Sequence, residues 1–185
     1  MDEPGWQVAA SSYILDSPYM RIRRDRIVLP GGTVIEDYYV RESRGFVIVF
    51  ALTPQREVLL VRQYKHGIGK VLLELVAGVI DEGEDPVQTA IRELAEETGY
   101  VSPRVEHVHS FITDPTSANT VAHLFVARDA YVGGEQQLDV TENITVELVP
   151  VQQLRQLIQA GEIESMPHVG AVYFILDRFT EFSSE

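Results

Sequence analysis

Glu93, Glu96 and Glu97 occupy positions i, i+3 and i+4 in the run Arg92-Glu-Leu-Ala-Glu-Glu97. On a helix this spacing sends three carboxylates into one small volume. Near a helix C-terminus the backbone dipole adds to their mutual repulsion, and Arg92 is the adjacent cation in the run. Two readings fit the carboxylates taken alone. One is a solvated acidic face. The other is a grip for divalent cations, and clustered carboxylate oxygens suit hard ions such as Mg²⁺ or Mn²⁺.

The element that must position them is a helix with both ends signed. Asp85 is a good N-cap, Pro86 suits the first helical position, and Gln88 completes an Asp-x-x-Gln capping box. Val87, Ala90, Ile91, Leu94 and Thr98 recur at three- and four-residue steps as the expected buried stripe. Gly99 ends the helix as the residue that tolerates a left-handed conformation.

The spacing around the glutamates extends further. Gly78, then Glu84, then Arg92-Glu93-Leu94, Glu96-Glu97 and Gly99-Tyr100 resembles the Nudix box at every position, with Tyr100 where that family more often has an aliphatic residue. Seven fixed residue types at roughly 5–7% abundance each make a chance match on the order of one in a million or rarer. The resemblance implies the Nudix fold, an α/β/α sandwich with a mixed central sheet, and hydrolysis of a nucleoside diphosphate linked to another group. It also implies that Glu93, Glu96 and Glu97 bind metal together with the backbone carbonyl of Ala77. Arg92 would hold the glutamates by bidentate pairing, and Glu84 would be an outer metal ligand or a brace for the loop.

Composition bounds the alternatives. The 185 residues make one domain with a short N-terminal extension, and 45% hydrophobic with 23% charged content is ordinary for a soluble globular chain. No apolar run is long enough for a membrane span, and the start Met1-Asp-Glu-Pro-Gly-Trp6 lacks a secretory pattern. Without cysteine there is no disulfide, thiolate site or cysteine nucleophile, and a cytoplasmic location is expected. The net charge of −13 argues against nucleic acid as a partner. Seven acids against one arginine in Gly78–Tyr100 concentrate that imbalance where cations would neutralise it.

Ahead of residue 45, three strands are expected at Trp6–Leu15, Met20–Leu29 and Thr33–Val40, with a turn at Pro30-Gly31-Gly32. The middle one carries four arginines and reads as a charged edge strand. In the ADP-ribose pyrophosphatase branch of the Nudix family such strands build a dimer interface, so the division expected is 1–44 as a dimerisation element and 45–185 as the hydrolase domain. The core begins with the continuous apolar run Phe46–Leu52, the pattern of a strand buried on both faces.

Leu60-Val-Arg-Gln-Tyr-Lys-His-Gly67 and Leu73-Glu-Leu-Val-Ala-Gly78 closely resemble the ADP-ribose pyrophosphatase branch. That resemblance places Arg44, Arg62, Lys65 and Pro115 near substrate, and marks Glu74, just ahead of the metal-facing turn, for attention. The loop around Pro115 departs from the branch's Ser-Pro-Gly…Glu in having Thr116 and Thr120. His107 and His109 alternate onto one face of a strand, as zinc ligands might be arranged, but no further ligand stands at helpful spacing and they read as structural. In the same branch a loop glutamate serves the catalytic centre; Glu142 is the positional match, with Asp139 as its substitute. The general base is then Glu142 or one of the box glutamates, Glu96 and Glu97 among them. Two helices close the chain, with stripes Val151, Leu154, Leu157, Ile158 and Val169, Val172, Leu176, Phe179.

The activity these residues imply is Mg²⁺-dependent hydrolysis of ADP-ribose to AMP and ribose 5-phosphate by a homodimer. The rivals are another nucleotide sugar or a dinucleotide as substrate, and a nucleotide-sensing module that keeps the fold without turnover.

Overall fold

The structure is a computed structural model and describes residues 5–18, 20–179 and 182. The opening residues 1–4 therefore lie outside it. Two compact units are present: Met1–Arg44 with Ile112–Val121, and Gly45–Phe111 with Ala122–Glu185. Ile112–Val121 joins the earlier strands in the first unit, away from its neighbours in sequence. The backbone explains this: the Arg41 N–H donates to the Ser117 carbonyl at 2.8 Å, and the Ser43 N–H donates to the Asn119 side-chain oxygen at 3.0 Å.

In the first unit β1 (Gln7–Asp16), β2 (Arg21–Val28) and β3 (Val34–Glu42) form an antiparallel sheet in the order β1-β2-β3. The arginine-rich strand is central, not an edge. Its charge is handled by cross-strand pairing: Arg23 pairs with Asp25 and with Glu42, and Asp25, only 2% exposed, also accepts from Ser11 Oγ at 2.6 Å. Those hydrogen bonds, Arg23 foremost, hold the Asp25 carboxyl below the ordinary aspartate range. Pro115 sits in this unit beside Asp114, whose carboxylate accepts the Ser117 N–H at 3.2 Å.

The second unit is built on six strands: β4 (Phe46–Leu52), β5 (Glu57–Lys65), β6 (Lys70–Val79), β8 (Arg104–Ile112), β9 (Val121–Arg128) and β11 (Ile144–Pro150). Their order is β11-β5-β6-β4-β9-β8; β4 runs parallel to β9 and antiparallel to β6, so the sheet is mixed. β7 (Tyr100–Val101) and β10 (Tyr131–Val132) make a separate small ribbon. β4 shows why its sequence is apolar without alternation. Ile48, Phe50 and Leu52 face one core cluster and Val47, Val49 and Ala51 the other, as a strand covered on both faces requires.

The first cluster is closed by Leu154 of α2 (Leu154–Gln159) and by Ala171, Val172, Ile175 and Leu176 of α3 (Met166–Arg178). The second is closed by Ala90 and Leu94 of α1 (Pro86–Thr98). Helices on both faces of a mixed sheet give the expected α/β/α sandwich. The first of the two closing helices begins as a 3₁₀ turn over Val151–Gln153. The stripe of α3 is His168, Ala171, Val172, Ile175 and Leu176, rotated from the expected one. His107 and His109 do not share a face: His107 packs edge-on against Phe125, whereas His109 packs on Phe111 and Phe174 of the opposite cluster. Among the described residues no helix is long and apolar enough to cross a membrane.

Candidate active site

α1 forms as its ends dictate. The Asp85 carboxylate accepts the Val87 N–H at 2.9 Å, one position earlier than a capping box would use, and Gly99 closes the helix at φ 72°. Ala90, Leu94 and Thr98 are buried as expected, but Ile91 is exposed and Glu97 has taken a buried place.

Arg92 organises the carboxylates. Its Nε and one terminal nitrogen hold Glu84 at 3.1 and 3.0 Å, and the other terminal nitrogen reaches Glu93 and Glu96, each at 2.8 Å. The bidentate bond to Arg92 lowers the Glu84 carboxyl to about 2, and the same pairing raises the guanidinium above its ordinary value. Glu93 is pushed up instead, because burial outweighs its contact with Arg92.

Glu97 is the extreme case. It is 4% exposed, and the Ala77 N–H donates to its carboxylate at 3.3 Å. Burial, reinforced by the charges of Glu93 and Glu142, raises its pKa to about 8 against the opposing pull of Ala77 and Lys65. Between 4.5 and about 8 the folded chain thus retains a proton that the unfolded chain has released. The stabilising contribution is present below 4.5 and is lost as pH rises through about 8.

Gly78 lets β6 approach this cluster. A Cβ built there would lie 1.9 Å from Glu93 Cδ, so the Glu93 carboxylate occupies the space of the missing side chain. On the far side, the loop after β10 docks on the end of α1 and satisfies its orphan carbonyls. The Gly133 and Gly134 N–H groups donate to Gly99 at 2.9 and 3.0 Å, the Gln137 N–H to Glu96 at 2.9 Å, and Gln136 Nε2 to Glu97 at 2.6 Å. This docking brings Glu142 close enough to act on Glu93 and Glu97, while its carboxylate accepts the Asp139 N–H at 3.0 Å.

The structure therefore brings together Ala77, Glu84, Arg92, Glu93, Glu96, Glu97 and Glu142. Lys65 joins them from the end of β5, within electrostatic reach of Glu97. Arg62 does not: its guanidinium is engaged by Glu147 on β11 and by Glu162 at 3.8 Å. Arg44 and Pro115 belong to the first unit. Sequence reasoning missed His168, which is 5% exposed beside Glu74. The available signal was a polar residue in register with the apolar positions Val172 and Ile175 of α3.

Among the described residues no three acidic or histidine side chains converge tightly enough to cage an ion by themselves. The donor set fits a different mode of binding. Buried Glu97, the backbone carbonyl of Ala77 and partly exposed Glu96 would hold a divalent ion together with water and substrate phosphates. The glycine cradle behind Glu93 keeps that space free of a side chain.

Comparison with known proteins agrees with this geometry. The NUDIX domain matches residues 42–169, and the nucleoside diphosphate sugar hydrolase N-terminal domain matches residues 6–40. The chain is 28% identical over 167 residues to an ADP-ribose pyrophosphatase of Bacillus subtilis (strain 168), covering 90% of each. It is 37% identical over 115 residues to a methanol dehydrogenase activator of Bacillus methanolicus, covering 62% of each. In the crystal structure of an ADP compounds hydrolase the same fold recurs with TM-score 0.86 at 18% identity, over 95% of both chains. With the family's domain matched over residues 42–169, and Glu84, Glu93 and Glu96 gathered by Arg92, the chain belongs to the Nudix hydrolase family.

Proposed function

We propose that this hydrolase cleaves the diphosphate bridge of ADP-ribose, with Mg²⁺ as its cofactor and Mn²⁺ able to replace it, giving AMP and ribose 5-phosphate. The observation that carries the reading is buried Glu97, docked on Ala77 inside an Arg92-centred cluster of carboxylates. The similarity to an ADP-ribose pyrophosphatase over 90% of the chain supports ADP-ribose as the substrate.

Glu93, Glu96, Glu97 and the Ala77 carbonyl would hold the metal, with Glu84 fixing Arg92 from behind. Bound divalent cations supply charge neutralisation at the diphosphate and acidify the attacking water. Arg92 keeps the three like charges of Glu84, Glu93 and Glu96 in one volume, and Glu142 accepts the proton of the water. The water oxygen bonds to phosphorus, the bridging P–O bond breaks, and its electron pair leaves on the departing phosphate monoester. Lys65 faces the phosphates from β5. Arg62 reaches substrate only by giving up Glu147 and Glu162, so Lys65 carries the cationic role within the second unit.

Phosphate-ester products from a panel of ADP-ribose, GDP-mannose, NADH and diadenosine polyphosphates test the assignment. AMP and ribose 5-phosphate are expected from ADP-ribose in Mg²⁺ and neither in EDTA. A preference for another member of the panel would move the substrate and leave the chemistry.

Linkage at Glu97 gives a second test. Metal binding requires the ionised carboxylate and so competes with its proton. The gain in Tm on adding Mg²⁺ is expected to grow from about pH 6 to about pH 8 and to level off above it, because the proton that competes with the metal is lost as pH rises through about 8. A gain independent of pH contradicts Glu97 as a ligand.

The homodimer rests on the first unit, where β1 leaves Val8, Tyr13, Ile14 and Leu15 exposed. Light scattering across micromolar concentrations is expected to give twice the chain mass, and a monomer mass throughout contradicts it.

A further inference from the structure

α3 buries a histidine where an aliphatic residue would pack. His168 is 5% exposed among Ala171, Val172 and Ile175, and burying a polar ring there is costly unless its hydrogen bonds are met. Nδ1 takes a hydrogen bond from β6, and Nε2 stands at ion-pair distance from a β6 carboxylate. The β4–β6 ladder ends at Val49 and Val76; immediately beyond it the Leu75 N–H donates to His168 Nδ1 at 3.2 Å. That bond fixes the tautomer, leaving the proton on Nε2. Nε2 lies 3.4 Å from Glu74 Oε1, and burial holds the ring neutral with a pKa of about 4.

Glu74 is itself 5% exposed, and its other oxygen lies 3.1 Å from Lys65 Nζ. Lys65 also donates to the Gln63 side chain at 2.5 Å. An ammonium has three N–H donors, and no contact among the described residues engages the third. The head group opens on a cleft of about 410 Å³ whose walls include Glu74, Glu164 and Ser165. A buried Glu74–His168 pair with a half-exposed lysine at its outer end adds little stability over apolar packing. What it does add is a fixed direction for the lysine at its outer end.

We propose that His168 is a positioning residue for substrate phosphate: the imidazole orients Glu74, Glu74 orients the Lys65 ammonium, and Lys65 meets the diphosphate. This rests on the reading of Lys65 as a phosphate contact. It extends the substrate site through β6 to α3, to a residue that touches neither substrate nor metal.

The test is a set of full-length variants assayed with ADP-ribose in saturating Mg²⁺. Lys65→Met is expected to raise KM roughly tenfold or more, and His168→Leu to raise it by a similar factor with kcat changed less than about threefold. His168→Gln recovers most of that loss, because an amide can accept from Leu75 and donate to Glu74. In the Lys65→Met background, His168→Leu is expected to add nothing further to KM, since it acts through the lysine. Should His168→Leu fail to fold, Glu74→Gln replaces it in the same cycle with the same expectation. Wild-type KM in His168→Leu beside a raised KM in Lys65→Met overturns the inference alone, as does a KM effect that multiplies with that of Lys65→Met. Wild-type KM in Lys65→Met overturns the Lys65 reading and the inference with it.

Discussion

Glu97→Gln is expected to lower turnover at least about a hundredfold, equivalent to roughly 2.7 kcal/mol of transition-state stabilisation, while the fold survives. The amide has the same shape and its oxygen can still accept the Ala77 N–H that Glu97 accepts at 3.3 Å. Only the charge is lost. In the metal-free protein that loss relieves a carboxylate that burial already disfavours, so the variant should be as stable as the parent or more so above about pH 8. The gain in Tm on adding Mg²⁺ should shrink at the same time. Lost activity with a destabilised fold would indicate structural damage; near-normal turnover would refute Glu97 as a metal ligand.

Gly78→Ala should be nearly as severe for a different reason. The added Cβ would sit 1.9 Å from Glu93 Cδ and 2.0 Å from its Oε1, where no two such atoms can coexist. Glu93 is a flexible side chain, so it can swing away with little cost to folding. Doing so breaks its 2.8 Å contact with Arg92 and displaces the carboxylate from its cradle. A displacement of about an ångström at a catalytic group can cost on the order of a hundredfold in rate. The expected result is a folded protein with kcat down by about that factor. Parental kcat in Gly78→Ala would show that the position of Glu93 is irrelevant to the reaction.

The residues these two variants touch were legible in the sequence, because each has a local cause. The Asp85 cap, Pro86 and Gly99 bound α1 by backbone chemistry alone, and a three–four spacing gathers carboxylates on any helix. The double burial of β4 follows from seven apolar residues without alternation. What escaped the sequence depends on contacts distant along the chain. Glu97 reads as a polar-face residue by periodicity, yet β6 covers it, and only that cover raises its pKa. Ile91 sits in the apolar register but finds no partner layer. The arginines of β2 suggested an edge strand, whereas acids on β2 and β3 let them stand in the middle of a sheet. His168 and Glu74 are 94 residues apart, and no local pattern joins them. Arg62 shows the complementary case: the motif marks its place on β5, but its pairing with Glu147 across the β5–β11 ladder depends on a residue far along the chain.

The central claim is that Glu93, Glu96, Glu97 and the Ala77 carbonyl grip cations that in turn grip a diphosphate. Anomalous diffraction at the manganese edge, from crystals soaked in Mn²⁺ and a non-hydrolysable ADP-ribose analogue, tests it most directly. Peaks are expected within coordination distance of those carboxylates and of the analogue's phosphates. Phosphates bound with no anomalous peak at the glutamates, the side chains still folded onto Arg92, would contradict it.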